Sequence, residues 1–175
     1  LVMVVAGPYE QWPLPWYLRG MTHVGYWPAA SDARPLDRAP VNLHDKLSLQ
    51  RGAQIFVNHC LNCHSASAMR YSKLTDIGLT EAQIRDNLMF ATDKIGDTMT
   101  IAMRSADAKA WFGVAPPDLT VEARVRGADW LYNYFLGFYR DEGTPGGWNN
   151  VVFPNVAMPH VLAEMGGMNR LVTTE

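Results

Sequence analysis

The sequence predicts an all-α fold, and three observations support this prediction. Between about residues 42 and 140 the apolar residues recur at helical spacing, side chains that cap helices precede several of these runs, and no convincing alternating strand is present. The periodic segments are short, so we expect short helices joined by loops. The chain has 175 residues, of which 48% are hydrophobic, and this is enough for one packed domain.

Composition excludes several classes of protein. Lys and Arg number 15 and Asp and Glu number 17, so the formal net charge of −2 argues against nucleic-acid binding. Two cysteines do not make a disulfide scaffold. No apolar run approaches the roughly 18 residues that a membrane span requires. The apolar residues 1–6 are not read as a secretory signal, since no basic region precedes them.

Residues 1–34 form an N-terminal segment whose role the sequence does not indicate. The segment is rich in Pro, Trp and Tyr, and its repeated prolines would interrupt any helix. We expect an extended arm here, or a segment foreign to the domain that follows. The domain that carries the chemistry is then residues 35–175.

The first two predicted helices rest on capping residues and spacing. Ser48 can cap a helix that runs to the first cysteine. Its apolar face is Leu49, Ala53, Phe56, Val57 and Cys60. Thr80 and Gln83 have the spacing of a capping box, which predicts a second helix. The buried face of that helix is Ile84, Leu88 and Met89.

Three further helices are predicted between residues 105 and 140. Ser105 can cap one that Gly113 ends, and Thr120 can cap another that ends at Gly127. Asp129 can cap the last, whose apolar residues crowd most of its surface. These are Trp130, Leu131, Tyr134, Phe135 and Phe138. Residues 141–160 then read as loop, and the last fifteen residues are weakly helical at best.

The most informative string is Cys60-Leu61-Asn62-Cys63-His64. Two thiols at this spacing can each add to a vinyl group of one haem, and a histidine directly after the second can ligate the iron. Three other readings compete. A zinc site needs four ligands, but there is no second cysteine pair and the other histidines form no paired unit. A thioredoxin-like pair needs a preceding strand, which is not visible. The third is an accidental arrangement of two structural cysteines.

A haem iron that transfers electrons usually has a sixth ligand, and nine methionines offer candidates. Met158 lies in a loop bounded by prolines, which would hold its sulphur at a fixed distance. Spacing alone does not separate Met158 from Met103. His160 is a third candidate, but we interpret it as a loop histidine in water.

The string Pro116-Pro117-Asp118-Leu119 precedes the helix predicted at Thr120. A proline carbonyl here would accept the ring N–H of His64, fixing the ring and raising its basicity. The alternative is a rigid turn, in which Asp118 or Thr120 satisfies the amides that start the helix.

Two arginines follow this string, Arg124 and Arg126. Arginines near a haem suit pairing with its propionate carboxylates. One solvated arginine and one ordinary ion pair explain the same residues equally well.

Residues 35–162 resemble cytochrome c₁, the haem-bearing subunit of the quinol–cytochrome c reductase (cytochrome bc₁) complex, in its short proteobacterial form. The haem motif alone indicates only a c-type cytochrome, and longer strings select the family. These strings are Pro35-Leu36-Asp37-Arg38-Ala39-Pro40-Val41-Asn42, Leu49-Gln50-Arg51-Gly52-Ala53, Met69-Arg70-Tyr71, Ala115-Pro116-Pro117-Asp118-Leu119-Thr120, and Gly147-Trp148-Asn149-Asn150-Val151-Val152-Phe153-Pro154-Asn155-Val156-Ala157-Met158-Pro159-His160.

The resemblance implies a class I c-type cytochrome fold with long loops and a role for each matching residue. The residues concerned are Cys60, Cys63, His64, Met158, Arg126, Pro116, Pro117 and Trp130. The cysteines would hold one haem c covalently, and the histidine and the methionine would ligate its iron. The arginine would contact a propionate, the prolines would pack on the histidine side of the ring, and the tryptophan falls near an aromatic position beside the haem.

The implied function is one-electron transfer. The donor would be the Rieske iron–sulfur protein, and the acceptor a soluble or membrane-anchored cytochrome c. The chain would work beside cytochrome b at the periplasmic face of the bacterial inner membrane, with no catalysis expected from it alone. Two alternatives stay open: a haem domain with an open sixth site, ligand-binding or peroxidatic, and a non-functional truncated or chimeric fragment.

The sequence departs from the family at both ends. Residues 1–34 do not resemble the family's N-terminus. Beyond the equivalent of residue 175 the family adds a helix that packs on the haem-motif helix, followed by a membrane anchor. We expect that packing helix to be missing here. Its absence would leave part of the apolar face of the predicted 49–60 helix uncovered, in a domain prone to aggregation or dependent on a partner.

Overall fold

The structure is a computed structural model of the chain, and it describes residues 2–4, 24–26 and 36–171. Most of the predicted N-terminal arm, residues 1–34, lies outside the described residues. The two short segments within it pair as parallel strands, β1 (Val2–Val4) and β2 (Val24–Tyr26), with Val2 opposite Val24.

Short helices dominate residues 36–171. They are α1 (Lys46–Ile55), α2 (Glu81–Leu88), α3 (Ser105–Phe112), α4 (Glu122–Arg126), α5 (Ala128–Leu136) and α6 (Ala163–Gly166). A π-helical turn over Phe56–Cys60 continues α1, and a 3₁₀ helix covers Tyr71–Ile77. Within the described part of the chain no helix combines the length and apolar character needed to cross a bilayer.

The all-α prediction is correct only in part, because short strands also form. β3 (Ala66–Arg70) pairs antiparallel with β4 (Thr98–Met99), and β5 (Phe138–Arg140) pairs antiparallel with β6 (Trp148–Asn150). Strands of two to five residues are too short for an alternating pattern to stand out in the sequence. Phe138, expected at the end of the last helix, instead begins β5.

The capping predictions have mixed outcomes. The capping box of α2 is confirmed, since Thr80 and Gln83 exchange both hydrogen bonds. The cap of α1 was wrongly placed, because Asp45 accepts the backbone N–H of Ser48 at 3.1 Å. Asp129 does not cap α5. Its carboxylate accepts the N–H of Ala39 at 2.8 Å, a contact between distant parts of the chain.

In the two middle helices, α3 and α4, the predicted starts are wrong and the predicted ends are correct. Ser105 is the first residue of α3 rather than its cap, and α4 begins after Val121 rather than at Thr120. Both ends are confirmed at glycines. Gly113 and Gly127 have φ of 77° and 83°, in the region that L side chains rarely adopt.

Buried side chains form two clusters. The β3–β4 core is Ala66, Tyr71, Ile84 and Met99. The α5 core is Tyr134, Phe138, Trp148 and Val156, with Trp130 and Met158 among the partly buried residues packed against it. The two clusters draw on successive parts of the chain, so each is built mainly from neighbouring elements.

Helix α1 contributes no buried side chain. Leu43, Leu47 and Ile55, which lie before and within it, are 73%, 67% and 36% exposed. None of these three residues belongs to the apolar face predicted for this helix, in which Val57 is buried and Leu49, Ala53, Phe56 and Cys60 are partly buried. That this face lacks a packing helix stays a prediction.

Tyr71 provides a test of the β3–β4 core. Its side chain is 1% exposed, and its hydroxyl has no hydrogen-bond partner among the described residues. A hydroxyl buried without a partner costs about 1–3 kcal/mol. We therefore expect Tyr71→Phe to preserve the free energy of unfolding or raise it by up to about 1 kcal/mol, measured by denaturant titration. A loss of stability would show that the hydroxyl has a partner.

Candidate haem site

The haem-motif residues lie on one tight turn at the end of the π-helical segment. The N–H of Leu61 bonds to the carbonyl of Phe56 at 3.0 Å, and the N–H of His64 bonds to the carbonyl of Cys60 at 2.9 Å. Both cysteines are free and partly exposed. Burial, with a smaller contribution from Cys63, raises the pKa of the Cys60 thiol. The turn thus presents two thiols and an imidazole from five consecutive residues.

The ring of His64 is held by a backbone carbonyl. Its Nδ1 lies 2.7 Å from the carbonyl oxygen of Pro117. A carbonyl oxygen only accepts hydrogen bonds, so Nδ1 carries the proton and Nε2 keeps a free lone pair in the neutral ring. This is the contact that one reading of the Pro116-Pro117 string predicted, and it is the arrangement of a metal-ligating histidine.

Asp118 fixes the segment that supplies this carbonyl. Its carboxylate accepts the N–H groups of Ser67 and Thr120, both at 2.9 Å, and also the Ser67 hydroxyl. Desolvation raises the pKa of the Asp118 carboxyl, but these hydrogen bonds outweigh it and hold that pKa well below its usual range. The segment is therefore fastened to the start of β3, which begins two residues after His64. Asp118 does not satisfy an amide of the helix, because the Thr120 N–H that it accepts lies two residues before α4. Its carboxylate instead ties two distant segments together.

A cavity of about 230 Å³ lies beside this turn. Cys63 and Pro116 line it, and so does Met103. Met103 therefore lies near the motif cysteine and the proline segment.

Met158 lies in a different environment. It is partly buried against the α5 core, and its Sδ accepts a hydrogen bond from the Tyr134 hydroxyl at 3.3 Å. Burial raises the pKa of Tyr134 to about 12 despite the opposing charge of Arg126, so the phenol stays protonated at neutral pH. The Tyr134 ring stacks on Trp130 with 4.9 Å between centroids.

Two adjacent asparagines hold the loop that leads to Met158. The side-chain amide of Asn150, which is 1% exposed, donates to the carbonyl of Tyr134 at 2.7 Å and accepts the N–H of Val152 at 2.8 Å. Asn149 Oδ1 accepts the N–H of Asn155 at 2.8 Å. The sequence analysis gave these residues no role. The one available signal was a pair of amide side chains inside an otherwise apolar stretch.

Arg126 and Trp130 form a unit at the start of α5. The Arg126 guanidinium lies 4.5 Å from the centroid of the Trp130 ring, and its Nε is 3.4 Å from a carboxylate oxygen of Glu122. The ion pair between Arg126 and Glu122 agrees with the interpretation that one of the two arginines makes an ordinary ion pair. A propionate contact by Arg126 stays a prediction.

His160 corrects an expectation. We predicted a loop histidine in water, but the residue is 7% exposed. Its ring stacks on Phe138 at 4.8 Å and meets Trp148 edge-on at 5.1 Å. Burial lowers the pKa of His160, against a hydrogen bond with the Gly167 backbone, and favours the neutral ring. The prediction was wrong because the residues around His160 are typical of an exposed loop. In the structure this loop folds back onto the α5 core.

The predicted site residues thus fall into two groups by their contacts. Cys60, Cys63, His64, Pro116 and Pro117 gather at the motif turn. Arg126, Trp130 and Met158 gather around α5. Their roles toward a haem stay predictions, but the first group presents the thiols and the free nitrogen that haem c attachment requires.

The hydrogen bonds to Asp118 predict a pH dependence. Its folded-state pKa is depressed, so its contribution to stability is present above the unfolded-state pKa and is lost as the pH falls through the folded-state pKa. We expect Asp118→Asn to lower stability at pH 7 and to flatten the loss of stability in acid, measured by melting at several pH values. Asp107→Asn, which affects a surface ion pair, serves as the control. Equal acid sensitivity of wild type and Asp118→Asn would contradict the expectation.

Comparisons with known proteins agree with this geometry. Residues 37–169 match the Cytochrome C1 family. The chain is 54% identical over 132 residues to a Nitrosomonas europaea protein named ammonia monooxygenase gamma subunit, covering 75% of this chain and 56% of that one. It is 48% identical over 145 residues to cytochrome c1 of Allochromatium vinosum, covering 82% and 59%. The chain therefore spans somewhat over half the length of these relatives. Since the family match covers most of the chain, the chain belongs to the cytochrome c₁ family, whose covalent haem c is its cofactor.

Proposed function

We propose that this chain carries single electrons on a haem c held at the motif turn. The observation that carries the proposal is the hydrogen bond from His64 to the Pro117 carbonyl. It fixes the tautomer that leaves Nε2 free, directly after two free thiols. The bound haem would supply a one-electron couple between ferric and ferrous iron.

The chain's own residues would attach, ligate and orient that group. Cys60 and Cys63 would form the thioethers, and His64 would be the proximal ligand. Met158 would be the sixth ligand, as the resemblance to the family implies, and it is partly buried against the α5 core. Methionine ligation raises the reduction potential and closes the sixth position to other ligands.

Pro116, Pro117, Arg126 and Trp130 would complete the site. The two prolines would pack on the histidine side of the ring, where Pro116 already lines a cavity with Cys63. A guanidinium has five N–H donors, and the Glu122 pair engages only the Nε of Arg126. The remaining donors suit a propionate carboxylate, and stacking on Trp130 fixes the plane of the guanidinium.

We propose that the electron comes from a Rieske iron–sulfur protein and passes to a c-type cytochrome. The setting would be a cytochrome bc₁ complex, beside cytochrome b, at the periplasmic face of the membrane. Family membership and the relative named cytochrome c1 support this setting. The methionine held over α5 favours it over a haem domain with an open sixth site.

A second candidate rests on the name of the Nitrosomonas relative. The chain would then serve as an electron-carrying subunit of an ammonia-oxidising complex, through the same haem-binding residues. The two candidates differ in their partners. In membranes that contain the chain, rapid reduction of its haem by quinol that stops when the Rieske protein is removed favours the first. Reduction that depends on ammonia oxidation instead favours the second.

The two candidate methionines provide the test of ligation. The chain is exported in a host that attaches c-type haem, and the variants Met158→Leu and Met103→Leu are titrated optically. We expect haem that survives denaturing electrophoresis in all three proteins. Met158→Leu should lower the midpoint potential and let the reduced protein bind carbon monoxide, because it opens the sixth position.

Met103→Leu is the matched control and should change neither property. Wild-type protein that binds carbon monoxide readily would contradict methionine ligation and favour the open-site alternative. An unchanged spectrum and potential in Met158→Leu would show that Met158 is not the ligand.

A further inference from the structure

We propose that Tyr134 is a positioning residue that orients the Met158 sulphur and raises the reduction potential of the site. The inference rests on the proposed function, since it concerns the sulphur proposed to ligate the iron. The resemblance to the family gave Tyr134 no role. In the sequence it stands out only as one of the apolar residues of the last predicted helix.

The hydrogen bond itself is the first step. Tyr134 is 8% exposed, and its hydroxyl lies 3.3 Å from Met158 Sδ. A buried hydroxyl needs an acceptor, and within the described residues this sulphur is the one that the Tyr134 hydroxyl reaches. A thioether sulphur has two lone pairs. One lone pair can accept the hydrogen bond from the phenol while the other remains available to a metal.

The second step is that the tyrosine is fixed and the methionine is not. The Tyr134 ring stacks on Trp130 with an interplanar angle of 11° and meets Phe138 edge-on at 5.1 Å. Its backbone carbonyl accepts the buried amide of Asn150. A methionine side chain has three rotatable bonds and adapts to its surroundings. The rigid phenol therefore selects the orientation of the flexible sulphur.

The third step is electronic. A hydrogen bond to the sulphur withdraws electron density from it and weakens it as an electron donor. A weaker donor ligand would destabilise the ferric state more than the ferrous state. The hydrogen bond would therefore favour the reduced state. Hydrogen bonds to metal ligands are recognised as tuning metal sites in this way.

Tyr134→Phe removes the hydroxyl and keeps the ring, and Tyr132→Phe is the matched control. Tyr132 lies two positions earlier on α5 and is 36% exposed. We expect Tyr134→Phe to shift the ferrous-to-ferric equilibrium toward ferric by about threefold to tenfold, the range of a typical hydrogen bond. A tenfold shift of a one-electron couple corresponds to about 59 mV. Tyr132→Phe should leave the midpoint potential unchanged.

The combination with Met158→Leu separates a contact with the sulphur from a general effect on packing. If Tyr134 acts through the sulphur, the change to Phe should cause no further shift of potential once Met158 is Leu. An equal shift in both backgrounds would overturn the inference. So would an unchanged potential in Tyr134→Phe that retains the methionine-to-iron charge-transfer band.

Failure of the inference is distinguishable from failure of the proposed function. The latter appears as a Met158→Leu variant whose spectrum and potential match wild type. If the Tyr134→Phe variant does not fold or attach haem, NMR of the unaltered ferrous protein tests the hydrogen bond directly. The Tyr134 hydroxyl proton should exchange slowly with water and show a contact to the Met158 methyl group, whereas a rapidly exchanging proton would overturn the inference.

Discussion

The hydrogen bond between His64 and the Pro117 carbonyl is the constraint on which the motif-turn half of the proposed site depends. It joins residues that are 53 positions apart, so the local turn of the haem motif is not enough to make it. Proline has no N–H, and its segment must be held through the residues that follow. Asp118 holds the proline segment by accepting the N–H of Ser67, which follows His64, and the N–H of Thr120, which follows Pro117. A surface carboxylate thereby controls the orientation of an imidazole that it does not touch.

The other half of the proposed site, around α5, depends on a separate set of contacts. Asn149 and Asn150 use their side-chain oxygens to accept loop N–H groups, which lowers the cost of packing an irregular segment against α5. Met158 is the adaptable member of this group, and Tyr134 is the rigid one. The proposed site would therefore be assembled from two rigid supports, each packed against its own core.

The success of the sequence predictions follows the range of the interactions involved. The haem motif and the capping box of α2 were predictable because each lies within five residues, as were the glycines that end α3 and α4. The cap of α1 is an exception, since Asp45 and Ser48 are three positions apart and either residue type can cap a helix. Asp129 was missed because it bonds to Ala39 across 90 positions, which spacing does not reveal. His160 is buried only because its loop returns to the α5 core. The strand pairs were missed because they are so short.

The two supports also explain how the proposed site would suit electron transfer. The hydrogen bonds that orient His64 and Met158 come from groups outside the proposed ligand set, namely a backbone carbonyl and a buried phenol. Neither bond requires a charge on the iron to form. Dipoles that are already aligned need not reorganise when the charge of a site changes. Because the proline segment, the aromatic stack and the asparagine pair hold these dipoles in place, a one-electron change at the iron should require little movement of the chain.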